Sequence, residues 1–172
     1  MKYLITYVTL LLSFAVYGQQ EASKAVKEDA FAKEIESYID HSVPTITVQK
    51  AYDKKDDFMF LDARELNEYK VSHIANAKHV GYRKFRKKSV KDLPRETPIV
   101  IYCSIGYRSE KIGKKLLKMG FTDVQNLYGS IFEWANQGLP IVDTQGQETL
   151  KVHTYDKRWS RWMTNETYQK VY

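Results

Sequence analysis

The 172-residue sequence predicts an α/β fold: a single domain with a mostly parallel sheet of about five strands and helices on both faces. Short apolar runs alternate with amphipathic stretches, which is the order that winds a parallel sheet. Ile99-Val100-Ile101-Tyr102 is apolar without alternation, as expected of a strand covered on both faces. A composition of 43% hydrophobic and 28% charged residues, with few Gly and Pro, suits one globular domain with a real core. It excludes fibrous and disordered classes.

Residues 1–18 read as a secretory signal. Lys2 supplies the positive start, Tyr3 to Val16 is uncharged and largely apolar, and Val16 and Gly18 offer small residues before a cleavage point. The apolar run falls short of the ~20 residues that span a bilayer. Cleavage and an exported chain, periplasmic or secreted, are therefore expected, with no stable membrane insertion afterwards; a retained anchor is the alternative. Residues 19–44 form an extension, helical from Gln19 to Asp40, with Phe31, Ile35, Tyr38 and Ile39 on one face.

The domain proper is expected over 45–142. Thr45 to Val48 opens it as a short strand, with Thr47 capping a helix that runs through Tyr52. Lys54 to Asp57 reads as a solvated turn. Phe58 to Leu61 forms a buried strand ending at Asp62. Asp62 can cap Glu65 to Tyr69, and Arg64 and Glu68, one helical turn apart, can form an ion pair. Lys78-His79-Val80 suggests another strand. Tyr82 to Lys88 holds five cations in seven residues, either a solvated face or a field that steers anions.

The chemistry gathers after the Ile99–Tyr102 strand. Cys103, the only cysteine, stands where strand passes into loop, followed by Ser104, Ile105, Gly106, Tyr107, Arg108 and Ser109. An amphipathic helix comes next, with Ile112, Leu116 and Leu117 on one stripe. The first turn of that helix leaves N–H donors free and carries partial positive charge, so the loop can cradle an anion. A thiol there ionises more readily than a free one. Arg108 adds a fixed charge and a fork of donors suited to an oxyanion. Gly106 allows positive φ. A lone cysteine after an apolar strand is ordinarily an inert core residue; strand, glycine, arginine and helix together argue for a reactive sulfur, negatively charged and open to solvent, at the floor of a bowl of amides. With four scattered histidines and one cysteine, no metal site is expected.

Beyond the active loop, Met119-Gly120-Phe121 reads as a helix stop. Asp123 to Leu127 gives the last strand, and Gly129 to Asn136 a helix closed by Gly138-Leu139-Pro140. The tail, 143–172, places Tyr155, Trp159, Trp162 and Met163 among Lys157, Arg158 and Arg161. Docking of these aromatics on the domain is expected in preference to a free partner surface.

Cys103-Ser104-Ile105-Gly106-Tyr107-Arg108-Ser109 resembles the active-site loop of rhodanese-like sulfurtransferases. Leu61 to Glu65 with Glu68-Tyr69 resembles that family's Asp-x-Arg segment. His73-Ile74 with Ala77 and Val80 resembles its His-Ile-x-x-Ala segment, and Leu127 to Trp134 its Leu-x-Gly-Gly-x-x-x-Trp stretch. The resemblance implies sulfur transfer: Cys103 takes the outer sulfur of an anionic donor such as thiosulfate and passes it to cyanide, a thiol or a protein cysteine. It also implies that Asp62 and Arg64 support the catalytic end of the sheet, that His73 is a packing residue, and that no metal or organic cofactor is needed. The six residues from Cys103 to Arg108 match the sulfurtransferases, whereas related phosphatases and arsenate reductases carry one more. A non-catalytic sulfur-carrying or binding module is the remaining rival. The short basic cluster, with no recognisable binding module, disfavours nucleic acid.

Overall fold

The computed structural model describes residues 26–172; the expected signal over 1–18 and the first part of the expected helix lie outside the described residues. The elements in order are α1 (Asp29–Glu36), β1 (Thr45–Ile46), α2 (Val48–Asp53), β2 (Met59–Asp62), α3 (Leu66–Val71), β3 (Lys78–His79), β4 (Ile99–Tyr102), α4 (Tyr107–Lys118), β5 (Val124–Leu127) and α5 (Ser130–Asn136). The tail adds β6 (Lys151–His153) and β7 (Gln169–Val171).

The main sheet has five strands in the order β1-β5-β4-β2-β3, and every pair is parallel. β4 lies at its centre, buried at all four positions, which is why its sequence shows no polar alternation. Its side chains still alternate between two cores. Ile99, Ile101 and Cys103 join Ile112 and Leu116 of α4 on one face, while Val100 and Tyr102 join Phe60, Leu127, Ile131 and Trp134 on the other. Registers of Asp62 with Tyr102 and of Asn126 with Ile101 align the carboxyl ends of β2, β4 and β5. Cys103 follows directly, in the crevice where open α/β sheets hold their ligands.

The helix over the N-terminal extension is shorter than expected. α1 ends at Glu36 because its last turn tightens: the Ser37 and Tyr38 N–H groups donate to Glu34 O and Ile35 O, and His41 then turns left-handed at φ 53°. Phe31, Ile35 and Ile39 nonetheless enter the main core. Thr47 caps α2 as expected, its Oγ1 accepting from the Lys50 N–H at 3.2 Å.

The tail docks, as its aromatics led one to expect. Trp159 and Trp162 share a 3-10 turn, where residues three apart eclipse, rather than an α-helix. Trp162 stacks on Phe31 with centroids 5.5 Å apart. Val152, Met163 and Tyr168 belong to the same core as the strands, and Asn136 ties the tail down by donating to Trp162 O and accepting from the Thr164 N–H. The parallel pairing of β6 with β7 was not anticipated; short, mixed segments carry too little periodicity to announce it. No helix of the described residues is long and apolar enough to cross a membrane.

Candidate active site

Cys103 sits at the bottom of a cavity of about 390 Å³ and is 1% exposed. The expectation of a sulfur open to solvent is corrected in this respect: it lies at the base of a walled space. The sulfur accepts from the Gly106 N–H at 3.2 Å. Gly106 heads α4 at φ 122°, a conformation closed to other residues, and that geometry turns its amide inward. The Ser109 hydroxyl has one proton to give and three acceptors within reach. Asn126 Oδ1 lies at 2.7 Å, Gly106 O at 3.0 Å and the Cys103 sulfur at 3.5 Å. Burial pushes the thiol pKa up, but the Arg108 charge and hydrogen bonds from Ser109 and Gly106 outweigh it, and the net shift is downward. Thiolate, the nucleophilic form, is thereby favoured.

The backbone of Cys103 is fixed from a third strand end. Its N–H donates to Ser130 Oγ at 3.1 Å, and that hydroxyl donates to Leu127 O. Ser130 occupies the second glycine position of the resemblance and keeps the left-handed geometry, φ 52°, without being glycine. The hydrogen bond to Cys103 is a compensation that glycine cannot make.

Arg108 lines the cavity, but its donors are largely engaged. Nη1 donates to Glu68 Oε2 at 2.6 Å, while Nη2 donates to Glu68 Oε1 and Ser104 Oγ, each at 2.8 Å. The expected free fork for an oxyanion is therefore corrected to a bidentate ion pair with Glu68. Burial pushes the Glu68 carboxyl up, yet the hydrogen bonds and charge of Arg108 pull it below the usual carboxylate range. Its partnership with Arg108 escaped the sequence analysis because forty residues separate the two; helical spacing sees only neighbours.

The expected Arg64–Glu68 pair is likewise corrected. Arg64 is fully buried and grips Asp62, with Nη2 to Oδ2 at 2.7 Å and Nε within 3.1 Å of both carboxylate oxygens, and its Nη2 also donates to Ser72 O at 2.6 Å. Asp62 does not cap the following helix: Glu65 is the N-cap, and its N–H donates to Glu68 Oε2. Asp62 and Arg64 pair with each other at the end of β2. His73 stacks on Tyr69, with its Nδ1 3.1 Å from Tyr69 O, and does not line the cavity. Among the described residues no group of three or more His, Cys, Asp or Glu side chains is placed to hold a metal.

Of the expected loop residues, Ser104, Ile105 and Tyr107 line the cavity with Cys103 and Arg108, while Gly106 and Ser109 act on the sulfur from below. Tyr38, Tyr82, Tyr155 and Trp159 complete the walls with Glu65 and Arg83. Nothing in the sequence placed Tyr38 and Tyr155 there, since one precedes Cys103 by 65 residues and the other follows it by 52.

Residues 46–137 match the model of the rhodanese-like domain. The thiosulfate sulfurtransferase GlpE of Coxiella burnetii is 35% identical over 81 residues, 47% of this chain and 75% of the relative. A tRNA uridine(34) hydroxylase of Pectobacterium carotovorum is 37% identical over 94 residues, but these are only 26% of its length. The crystal structure of a rhodanese-related protein from Thermoplasma volcanium superimposes with a TM-score of 0.53 at 27% identity, covering 58% of this chain and 97% of that one. A loop that folds six residues around one cysteine sulfur, on this sheet and with these relatives, settles the kinship: the chain belongs to the rhodanese-like domain family.

Proposed function

We propose that the chain is a sulfurtransferase that carries sulfane sulfur on Cys103. The observation that supports this reading best is the sulfur itself: its pKa is lowered, it accepts from the Gly106 amide, and it faces a cavity. In the first half-reaction the Cys103 thiolate attacks the outer sulfur of a donor. The bond between that sulfur and the rest of the donor breaks, and the leaving group departs with the electron pair, as sulfite when the donor is thiosulfate. The loop amides and Ser109 hold the resulting anionic persulfide. In the second, cyanide or a thiolate takes the outer sulfur and restores the Cys103 thiolate. Two displacements through one covalent intermediate give ping-pong kinetics. The scheme calls on no metal or organic cofactor. We place the reaction outside the cytoplasm on the strength of the 1–18 signal, which sequencing the N-terminus of the mature chain will test.

Intact-mass measurement after exposure to sulfur donors is the deciding experiment. The wild-type chain is expected to gain one sulfur atom and Cys103→Ser none. Phosphate release from a phosphotyrosine analogue without sulfur uptake overturns the reading in favour of a phosphatase.

A further inference from the structure

We propose that the cavity above Cys103 is a subsite for an organic sulfur compound: an anionic terminal sulfur carried on a flat apolar body. This deepens the persulfide reading and rests on it.

Five aromatic rings, Tyr38, Tyr82, Tyr107, Tyr155 and Trp159, wall the cavity together with Ile105. Three of them, Tyr38, Tyr155 and Trp159, come from outside residues 46–137, so the extension and the tail of this chain supply part of the wall. The rings are held in place. Tyr38 packs edge-on against Trp159 at 5.3 Å and against Tyr107 at 6.1 Å. Tyr155 lies under the Arg108 guanidinium at 5.2 Å, and its N–H donates to His153 Nδ1 at 3.0 Å. Such a wall is built before any ligand arrives, which limits the ordering cost of binding.

The charge balance points the same way. An inorganic dianion such as thiosulfate must shed tightly held water, and only free cations repay that. Arg108 already faces the buried Glu68 carboxylate, which leaves Arg83 as the other lining cation. An organic thiosulfonate or persulfide carries a single charge, which the one remaining lining cation, Arg83, can face, and presents an apolar body to the rings. A cationic guest fits less well, because Lys111 and Arg158 of the chain itself already lie over Tyr107 and Trp159. The volume of about 390 Å³ is at the lower end of the range for small organic ligands and far more than thiosulfate fills.

The test uses two donors with one reacting group, benzenethiosulfonate and methanethiosulfonate, on the full-length protein. In each, the Cys103 thiolate forms a bond to the terminal sulfur, the sulfur–sulfonyl bond breaks, and a sulfinate leaves with the electron pair. Rates of thiocyanate formation with cyanide are normalised to the reaction of each donor with a simple thiol. Burying the ring in place of a methyl group is expected to favour benzenethiosulfonate about ten-fold in kcat/KM. Trp159→Ala is expected to abolish most of that preference through KM, and Trp159→Phe to restore part of it, with near-UV circular dichroism reporting that each variant is folded. Equal normalised rates for the two donors in the wild type overturn the subsite while leaving the persulfide reading intact. Failure of both donors to load sulfur onto Cys103 overturns that reading and the subsite with it.

Discussion

Replacing Glu68 by Gln separates two effects that ordinarily travel together, fold stability and thiol reactivity. The Glu68 carboxylate is 2% exposed and takes both Nη atoms of Arg108, the Glu65 N–H and, at 3.4 Å, the Ser104 hydroxyl. Glutamine keeps the shape but offers one acceptor oxygen, so its amide N–H₂ must face an Arg108 N–H. Removing one partner of a buried pair costs about 3–5 kcal/mol. The Arg108 side chain is 12% exposed and draws some compensation from water, so the lower figure applies, about 3 kcal/mol. For a chain of this length the melting temperature should fall by about 6–12 °C. Because the Glu68 pKa is depressed on folding, its contribution is present above the unfolded value of about 4.3 and lost as pH drops through the folded one. The gap between wild type and variant should therefore close in acid.

The thiol should respond in the opposite sense. With Glu68 neutral, the Arg108 charge acts on Cys103 undiminished and lowers its pKa further. The pH midpoint for iodoacetamide alkylation should shift down while the protein becomes less stable. A melting temperature within 2 °C of wild type, or a midpoint that moves up, refutes the account of this pair.

Three further expectations follow from the same geometry. In the wild type, alkylation of Cys103 should show a midpoint below the ordinary thiol value of about 8.5, and Arg108→Met should raise it; a wild-type midpoint at or above that value contradicts the assignment of charge and hydrogen bonds to the thiolate. Ser130→Ala keeps the left-handed backbone and strands the buried Cys103 N–H, at a cost of about 1–3 kcal/mol, whereas Ser130→Gly loses the same bond but relieves φ 52° and should cost less. Urea unfolding measures both, and the reverse order counts against the compensation described for Ser130. Trp162→Ala removes the ring stacked on Phe31 and, because tail and sheet share one core, should destabilise the whole domain by about 2 kcal/mol, below the cost at a closed core site since the ring is only partly buried; a separate low-temperature transition for the tail in calorimetry says otherwise.

Strand, loop and helix around Cys103 were legible because each obeys a local rule: an unbroken apolar run, a glycine where φ turns positive, a stripe at helical spacing. The parallel sheet followed from strands alternating with helices and the reactive loop from the ordered set of motifs, whereas no local rule gives the strand order. What local rules misjudged were the charges. Arg64 and Glu68 are one helical turn apart, and spacing alone pairs them, yet Arg64 folds back on Asp62 two residues away while Glu68 crosses to Arg108. Neither choice can be seen from periodicity, since burial decides it: Arg64 is sealed in the core, and the nearest carboxylate sealed with it is Asp62. The aromatic walls escaped for a similar reason. Tyr38, Tyr155 and Trp159 looked like residues that seal an extension and a tail onto the domain; Tyr38 and Trp159 do, Tyr155 lies against Arg108 instead, and only the topology shows that the seam runs beside the cysteine.

In the proposed sulfur transfer, that seam explains how one short loop can serve a selective reaction. The ionic groups around the sulfur, Asp62 with Arg64 and Glu68 with Arg108, balance one another before Cys103 ionises. The thiolate therefore draws on an Arg108 charge already tempered by Glu68, and on oriented N–H and O–H dipoles, to remain stable. Such dipoles act over one or two bond lengths and favour any anionic sulfur equally, whether thiolate or persulfide. They can hold the intermediate but cannot choose the donor. Choice has to come from the walls, and the walls are rings contributed from both sides of the family domain, 65 residues before the cysteine and 52 and 56 after it. A variant lacking those rings should keep a reactive thiol and lose discrimination, which is a division of labour that kinetics with paired donors can resolve.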